Sequence, residues 1–165
     1  MLTIRKKSLN LANGKVGVIS DTHGLLRPAA IAVLKGTDLI IHAGDIGKPE
    51  VLTALKNLAP VLAIRGNNDR QAWARTIPDV LQLRLHELKL QVIHDVYDLD
   101  GDPATAGFRV VISGHSHMPG VTTRDHVLYI NPGSAGPRRF KLPVAVAVLA
   151  IRHPHVSAEI VELLD

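Results

Sequence analysis

The feature that most constrains this chain is a pattern met three times before residue 70, in which a short apolar run stops at a turn rich in Asp, Asn, His and Gly. Val16, Val18 and Ile19, with only small residues between them, spell a buried β-strand that ends at Ser20 and delivers Asp21-Thr22-His23-Gly24 at once. Leu39 to His42 is the next such run and ends at Ala43-Gly44-Asp45, and Val61 to Ile64 ends at Arg65-Gly66-Asn67-Asn68-Asp69. Between them, Pro28 and Pro49 stand at first helical positions ahead of AAIAVLK and EVLTALKNLA, and Gly36 can close the first helix. Strand, polar loop, helix and strand in this order describe parallel βαβ units, whose ligands bind outside the carboxyl ends of the strands.

The second half changes period. Leu81, Leu83 and Leu85 alternate with Gln82, Arg84 and His86, so one face of that strand is wet. Leu90 to Ile93 follows through a hairpin at residues 86–89 that lacks the Gly or Asn a two-residue turn prefers. This run ends at His94, Arg109 to Ile112 ends at Gly114-His115-Ser116-His117, and Val127 to Ile130 ends at Asn131-Pro132-Gly133-Ser134. Val144 to Ile151 and Val156 to Leu163 read as closing strands. Residues 1–15 read as a leading strand or a loose arm with a turn at Asn13-Gly14, and Asp98 to Gly107 as a loop or short irregular helix. Parallel units followed by hairpins imply two packed sheets with helices outside, in one domain over residues 1–165.

Composition narrows the function. Hydrophobic residues make up 46% of the chain but aromatics only 3%, so the core is aliphatic and platforms for stacking bases are scarce, which counts against a single-strand nucleic-acid module. A net charge of +4 suits an anionic ligand such as phosphate, and a solvated basic surface explains it equally well. The absence of cysteine excludes disulfides, thiolate catalysis and sulfur-ligated zinc, and is compatible with the cytosol. The run from Val144 to Ile151 falls far short of the ~20 residues of a membrane helix, and no secretory pattern opens the chain, so a cytoplasmic protein without a membrane partner is expected.

The strand ends supply Asp21, His23, Asp45, Asn67, His94, His115 and His117. Carboxylate and amide oxygens beside imidazoles suit Mn, Fe, Co, Ni or Zn better than Mg or Ca. Asp21-x-His23 taken alone is as well read as a cap or turn, and His42, His86, His126, His153 and His155 as ordinary core or surface histidines, with His42 able to brace the loop that delivers Asp45. His94, His115 and His117 are different, because they directly follow two separate apolar strands or the glycine turn of one. Two carboxylates brought together out of water repel unless a cation lies between them. Two cations ~3.5–4 Å apart would lower the pKa of a shared water and clamp both attacking and leaving oxygens of a phosphoryl displacement.

In this order, DTH at 21–23, GD at 44–45, GNND at 66–69, His94 and GHSH at 114–117 resemble the calcineurin-like metallophosphoesterase superfamily. The compact length and the NPGS at 131–134 are similar to its small YfcE/MJ0936-type phosphodiesterases, whose fold also serves the scaffold subunit Vps29. The resemblance implies a four-layer αββα sandwich of two mixed sheets flanked by helices. It implies one metal on Asp21, His23, Asp45 and His117, and a second on Asp45, Asn67, His94 and His115, with Asp45 bridging. Two divalent ions are expected, Mn first, with Ni, Co, Fe, Zn or Mg as options, and in-line attack by a bridging hydroxide.

Asp45, Asn68 and Asp69 are the catalytic candidates. Asn68 stands where many relatives have His, and Asn cannot act as a general acid near neutral pH, so activated diesters should be better substrates than alkyl monoesters. Asp95 follows His94 where Gly is usual, which places an extra carboxylate beside the second metal. Arg70, Arg138 and Arg139 match phosphate oxygens in bidentate fashion, although surface solvation accounts for them too. The expected partner is a small phosphodiester or nucleotide-like substrate, with nucleic acid only as substrate and a homodimer as one possible assembly. The alternative is a non-catalytic metal-binding or protein-interaction scaffold of the Vps29 type; a complete ligand set argues for the enzyme.

Overall fold

Alternation decides which way each strand faces. In the computed structural model, which describes residues 1–164, β2 (Asn13–Ile19) turns Val16 and Val18 to one side and Ile19 to the other, and all three are fully buried. β1 (Ile4–Leu9) precedes it. α1 (Pro28–Leu34), β3 (Leu39–His42), α2 (Pro49–Lys56) and β4 (Val61–Ala63) follow, with a proline at the start of each helix. β2, β3 and β4 pair in parallel as the βαβ pattern requires. β10 (Ala145–Arg152) and β11 (His155–Glu162) close this sheet antiparallel, giving the order β11-β10-β2-β3-β4.

The second sheet is built from β1, β5 (Val80–Leu85), β6 (Leu88–Ile93), β7 (Val110–Ile112), β8 (Gly120–Arg124) and β9 (Val127–Asn131), in the order β1-β5-β6-β7-β9-β8. Between the sheets lies an aliphatic core in which Val16, Val18 and Ile41 face Leu81, Leu83, Leu85, Leu90, Val92 and Ile112. On the far side of the first sheet, Ile19, Ile40 and Val146 meet Ala30 and Leu34 of α1 and Val51 and Leu55 of α2. Burying Leu34 and Leu55 contributes about 2 kcal/mol each. Both α-helices therefore cover one sheet.

The outer face of the other sheet carries a thinner layer, a 3-10 turn at Val96–Asp98 and further turns at 103–107. Lys89 fastens it, donating from Nζ to the Ala106 carbonyl at 2.9 Å and lying over the Phe108 ring. Two packed mixed sheets with few helices match the expected architecture. No helix among the described residues is long and apolar enough to cross a membrane.

One local reading changes, one alternative is settled in favour of the leading strand, and one strand is added. The turn expected at Asn13-Gly14 lies earlier, at residues 10–12, because Asn13 already pairs with Arg152 and the Lys15 amide donates to Asp38. β1 is no loose arm: it pairs in parallel with β5, and Asp79 accepts from both the amide and the hydroxyl of Thr3 just ahead of it. β8 carries no alternating apolar face and gave no strand signal; it exists because Asp125 and His126 both adopt positive φ, 51° and 65°, in the two-residue turn that pairs it with β9. His86 does the same for the β5–β6 turn at φ 55°, where Gly or Asn is the usual residue.

Candidate metal centre

Every candidate ligand follows a strand at one edge of the sandwich: Asp21 and His23 after β2, Asp45 after β3, Asn67 after β4, His94 after β6, and His115 and His117 after β7. The structure gathers Asp21, His23 and His117 into one group and Asp21, Asp45 and His94 into another, with the donor atoms in each within 4.8 Å of one another. Around Asp21 Oδ1 stand His117 Nε2 at 3.2 Å, His23 Nε2 at 3.7 Å and His94 Nε2 at 3.9 Å. Asp45 Oδ2 lies 3.3 Å from His94 Nε2 and 3.8 Å from His23 Nε2, so this carboxylate reaches both groups.

His115 borders the same mouth without joining either group, and Asn67 lies beside it. His115 is half exposed, with its ring 5.2 Å from that of His94 and its Nε2 3.7 Å from Asp95 Oδ2. Asn67 lines a cleft of about 150 Å³ with His94, Asp95, Asp98 and His115.

The loops are held in conformations that other sequences avoid. Asp21, His23, Asp45, His115 and His117 have φ between 46° and 68°, the left-handed region that disfavours residues with a Cβ. Such strain, concentrated at one sheet edge, persists only where surrounding contacts over-determine it. The Asp69 carboxylate supplies several, accepting from the amides of Ile46, Gly47 and Gly66 at 2.9 to 3.0 Å, which ties the loop after β3 to the loop after β4. Gly66 allows this approach, since a Cβ there would collide with the Asp45 carboxylate and backbone.

Asn68 donates from its backbone and side-chain nitrogens to the two oxygens of Asp45, both at 2.9 Å. Asn68 thus orients Asp45. Ser20 donates to Asp21 Oδ2 at 2.6 Å, and the His115 amide donates to the same oxygen. His94 Nδ1 donates to the Ala43 carbonyl at 2.7 Å, which turns Nε2 toward the carboxylates.

Three further braces support the donors, the first of them at His42 as expected. The Gly44 amide donates to His42 Nδ1, so His42 carries its proton on Nε2 and donates to Thr22 Oγ1, which donates onward to the Ile46 carbonyl. Asn131 Nδ2 donates to the Gly114 carbonyl and the Ser116 hydroxyl, steadying the GHSH loop. Ser134 donates to the Asp21 carbonyl. The only sequence signal for the last two was their place in the NPGS turn at the same edge.

Burial opposes charge on Asp21, but the imidazoles of His117, His23 and His94 hold its pKa well below the ordinary carboxylate range. Burial likewise pulls His94 down, and Asp45, Asp21 and the Ala43 carbonyl outweigh it, raising the pKa to about 9. Asp45 is lowered against its own burial by His94 and the Asn68 amide. Asp21 Oδ1, His23 Nε2, His94 Nε2 and His117 Nδ1 are buried without a hydrogen-bond partner. Buried polar atoms are rarely left so, and one carboxylate oxygen with three imidazole nitrogens fits a divalent-cation site.

Beyond the donors, Arg70 Nε donates to the Asn67 carbonyl, and the charge of Arg139 is felt at His23. Arg138 lies exposed on the loop that carries Arg139.

Comparison with known proteins agrees. The calcineurin-like phosphoesterase superfamily domain matches residues 15–153. A probable metallophosphoesterase of Methanothermobacter thermautotrophicus is 34% identical over 88% of this chain and 91% of its own length. Phosphodiesterase MJ0936 of Methanocaldococcus jannaschii is 30% identical over 72% of this chain and 82% of its own. A solved archaeal phosphodiesterase superimposes with a TM-score of 0.69 at 26% identity, covering 89% of this chain and 99% of the other. Zinc-complexed Vps29 from Entamoeba histolytica shares the fold, with a TM-score of 0.69 at 18% identity over 90% of this chain and 98% of the other.

Proposed function

The chain belongs to the calcineurin-like phosphoesterase superfamily, and from that premise we propose that it is a dinuclear-metal-dependent phosphodiesterase acting on small phosphodiesters. The observation that carries the reading is the set of buried, unpartnered donor atoms around the Asp21 and Asp45 carboxylates. Asp21, His23, Asp45 and His117 would hold one cation, and Asp45, Asn67, His94 and His115 the other. When bound, two such cations supply Lewis-acid charge to the phosphoryl oxygens and make a water nucleophilic near neutral pH. Mn is the first candidate, because mixed carboxylate, amide and imidazole donors suit it.

The chain's own residues do the rest. Asn68 fixes the Asp45 carboxylate through both oxygens, and Asp69 clamps the loops that carry Asp45 and Asn67. His94 is oriented by the Ala43 carbonyl, so its Nε2 faces the carboxylates without rotation. Asn68 can donate a hydrogen bond to a leaving oxygen but supplies no proton, which favours diesters with activated leaving groups over alkyl monoesters.

The test is hydrolysis of bis-p-nitrophenyl phosphate and p-nitrophenyl phosphate by metal-stripped protein titrated with Mn, Ni, Co, Zn and Mg. Saturable metal-dependent turnover, faster on the diester and reached at two equivalents, is the expected result. Metal binding without turnover of either ester would favour the scaffold instead. The scaffold reading is weakened by the donors themselves, since a protein that only binds partners gains nothing from so many desolvated carboxylates and imidazoles.

A further inference from the structure

The chain has five aromatic side chains of Trp, Tyr and Phe, and the structure hides three of them: Phe108 is buried, and Trp73 and Tyr129 are half-buried. Tyr97 and Phe140 are 93% and 89% exposed, and each stands on a loop that flanks the donor cluster. A wholly exposed aromatic forgoes the burial that usually retains it. In a chain this poor in aromatics, such placement calls for a ligand.

Phe140 lies within Arg138-Arg139-Phe140-Lys141, all four exposed. The loop is not adrift. Gly136 lies against the backbone of Asp21 and Thr22, where a Cβ would collide, and Arg27 Nε donates to its carbonyl. The Leu142 amide donates to the Arg139 carbonyl at 3.1 Å, closing a turn that holds Phe140 at φ 53°, and Ser134 bridges Val144 behind it. The segment is thus joined at its base to the loop that carries Asp21 and His23.

Charge around the mouth is uneven. On the His23 side, Lys48 lies over Gly24 and the Arg138, Arg139 and Lys141 cations stand beside Phe140. On the side of His94 and His115, the cleft carries Asp95 and Asp98, and the charge of Arg65 there is taken up by Asp79. The first side therefore suits phosphate better than the second.

We propose that residues 138–141 form a docking loop for single-stranded nucleic acid, with one base stacked on Phe140 and neighbouring phosphates paired with Arg138, Arg139 and Lys141. The inference rests on the phosphodiesterase reading above and names an oligonucleotide as the diester brought to the centre. Base stacking on an aromatic ring tolerates any sequence, and guanidinium groups grip phosphate in bidentate fashion. A basic segment interrupted by one exposed ring combines the two. The low aromatic content argues against an extended multi-base platform, which one ring does not need.

The test is fluorescence anisotropy of fluorescein-labelled thymidine and uridine decamers with metal-free full-length protein, beside an abasic decamer of equal length. Binding of the base-bearing decamers should weaken as salt rises, with a log–log slope of about −2 for three phosphate contacts. Phe140→Ala should cost about tenfold in affinity for them and nothing for the abasic strand, while a combined Arg138→Gln and Arg139→Gln variant should flatten the salt dependence. The tighter of the two decamers identifies the sugar. Hydrolysis of bis-p-nitrophenyl phosphate by the metal-loaded wild type checks the catalytic reading separately. If the aryl diester is cleaved but neither decamer binds, or Phe140→Ala binds like wild type, the docking loop is overturned and the phosphodiesterase stands. If the decamers bind through Phe140 and no diester is cleaved, the catalytic reading falls and the loop stands.

Discussion

Asp45 and Asn68 show how much one side chain settles. Asp45 reaches both donor groups, so Asp45→Asn should cut metal-dependent turnover by at least ~10³-fold while leaving the circular dichroism spectrum intact, because the amide keeps the size but loses the charge and one of the two oxygens that accept from Asn68. Wild-type rates in that variant would remove its bridging role. Asn68→His tests the missing acid: an imidazole there can protonate a leaving oxygen, so the ratio of monoester to diester turnover should rise, by ~10-fold or more if proton transfer limits the monoester. An unchanged ratio would show that Asn68 matters only as the clamp on Asp45. Sequence made the donors legible because each lies within five residues of the end of an apolar strand. It could not show that His42 relays a hydrogen bond to Thr22, or that Asn131 steadies the GHSH loop, since those contacts join residues 15 or more positions apart.

At the scale of elements, the loops matter more than the strands they leave. A Cβ at Gly66 would strike Asp45, so Gly66→Ala should lose metal affinity by ~10-fold or more in calorimetric titration, well before the protein unfolds. Equal affinity would mean the loop has room to move. β1 raises a separate question, because it is an edge strand rich in lysine whose N-terminal end is secured mainly by Asp79. Asp79 also pairs with Arg65 at 2.7 and 3.3 Å. Asp79→Asn should therefore cost about 1–2 kcal/mol by urea unfolding and speed amide exchange in β1. Exchange unchanged in β1 would place its anchorage elsewhere. Except for β1, the parallel strands were legible because each holds a short apolar run that ends at a polar turn. β8 was not, since its residues are polar and its existence depends on a turn in which Asp and His take positive φ.

For the whole molecule, the aliphatic core between the sheets has no reason to respond to pH, so a pH-dependent stability must come from buried polar groups. His42 is the clearest case. It is wholly buried, burial lowers its pKa to about 4, and its two hydrogen bonds require the neutral ring, since Nδ1 accepts from Gly44. An unfolded histidine titrates near 6.5. Between about 6.5 and about 4 the unfolded chain therefore binds the extra proton, and the folded state loses stability as pH falls through that window, keeping it in full above. The loss between pH 7.5 and pH 5 should be about 2 kcal/mol from this residue. His42→Gln isolates it, because the amide can accept from Gly44 and donate to Thr22 but does not titrate. Urea unfolding of both proteins in chelator at the two pH values should show wild type losing that much more than the variant. Parallel losses would mean that His42 is charged or rehydrated in the fold, and that the relay holding Asp21 and Asp45 side by side is made some other way.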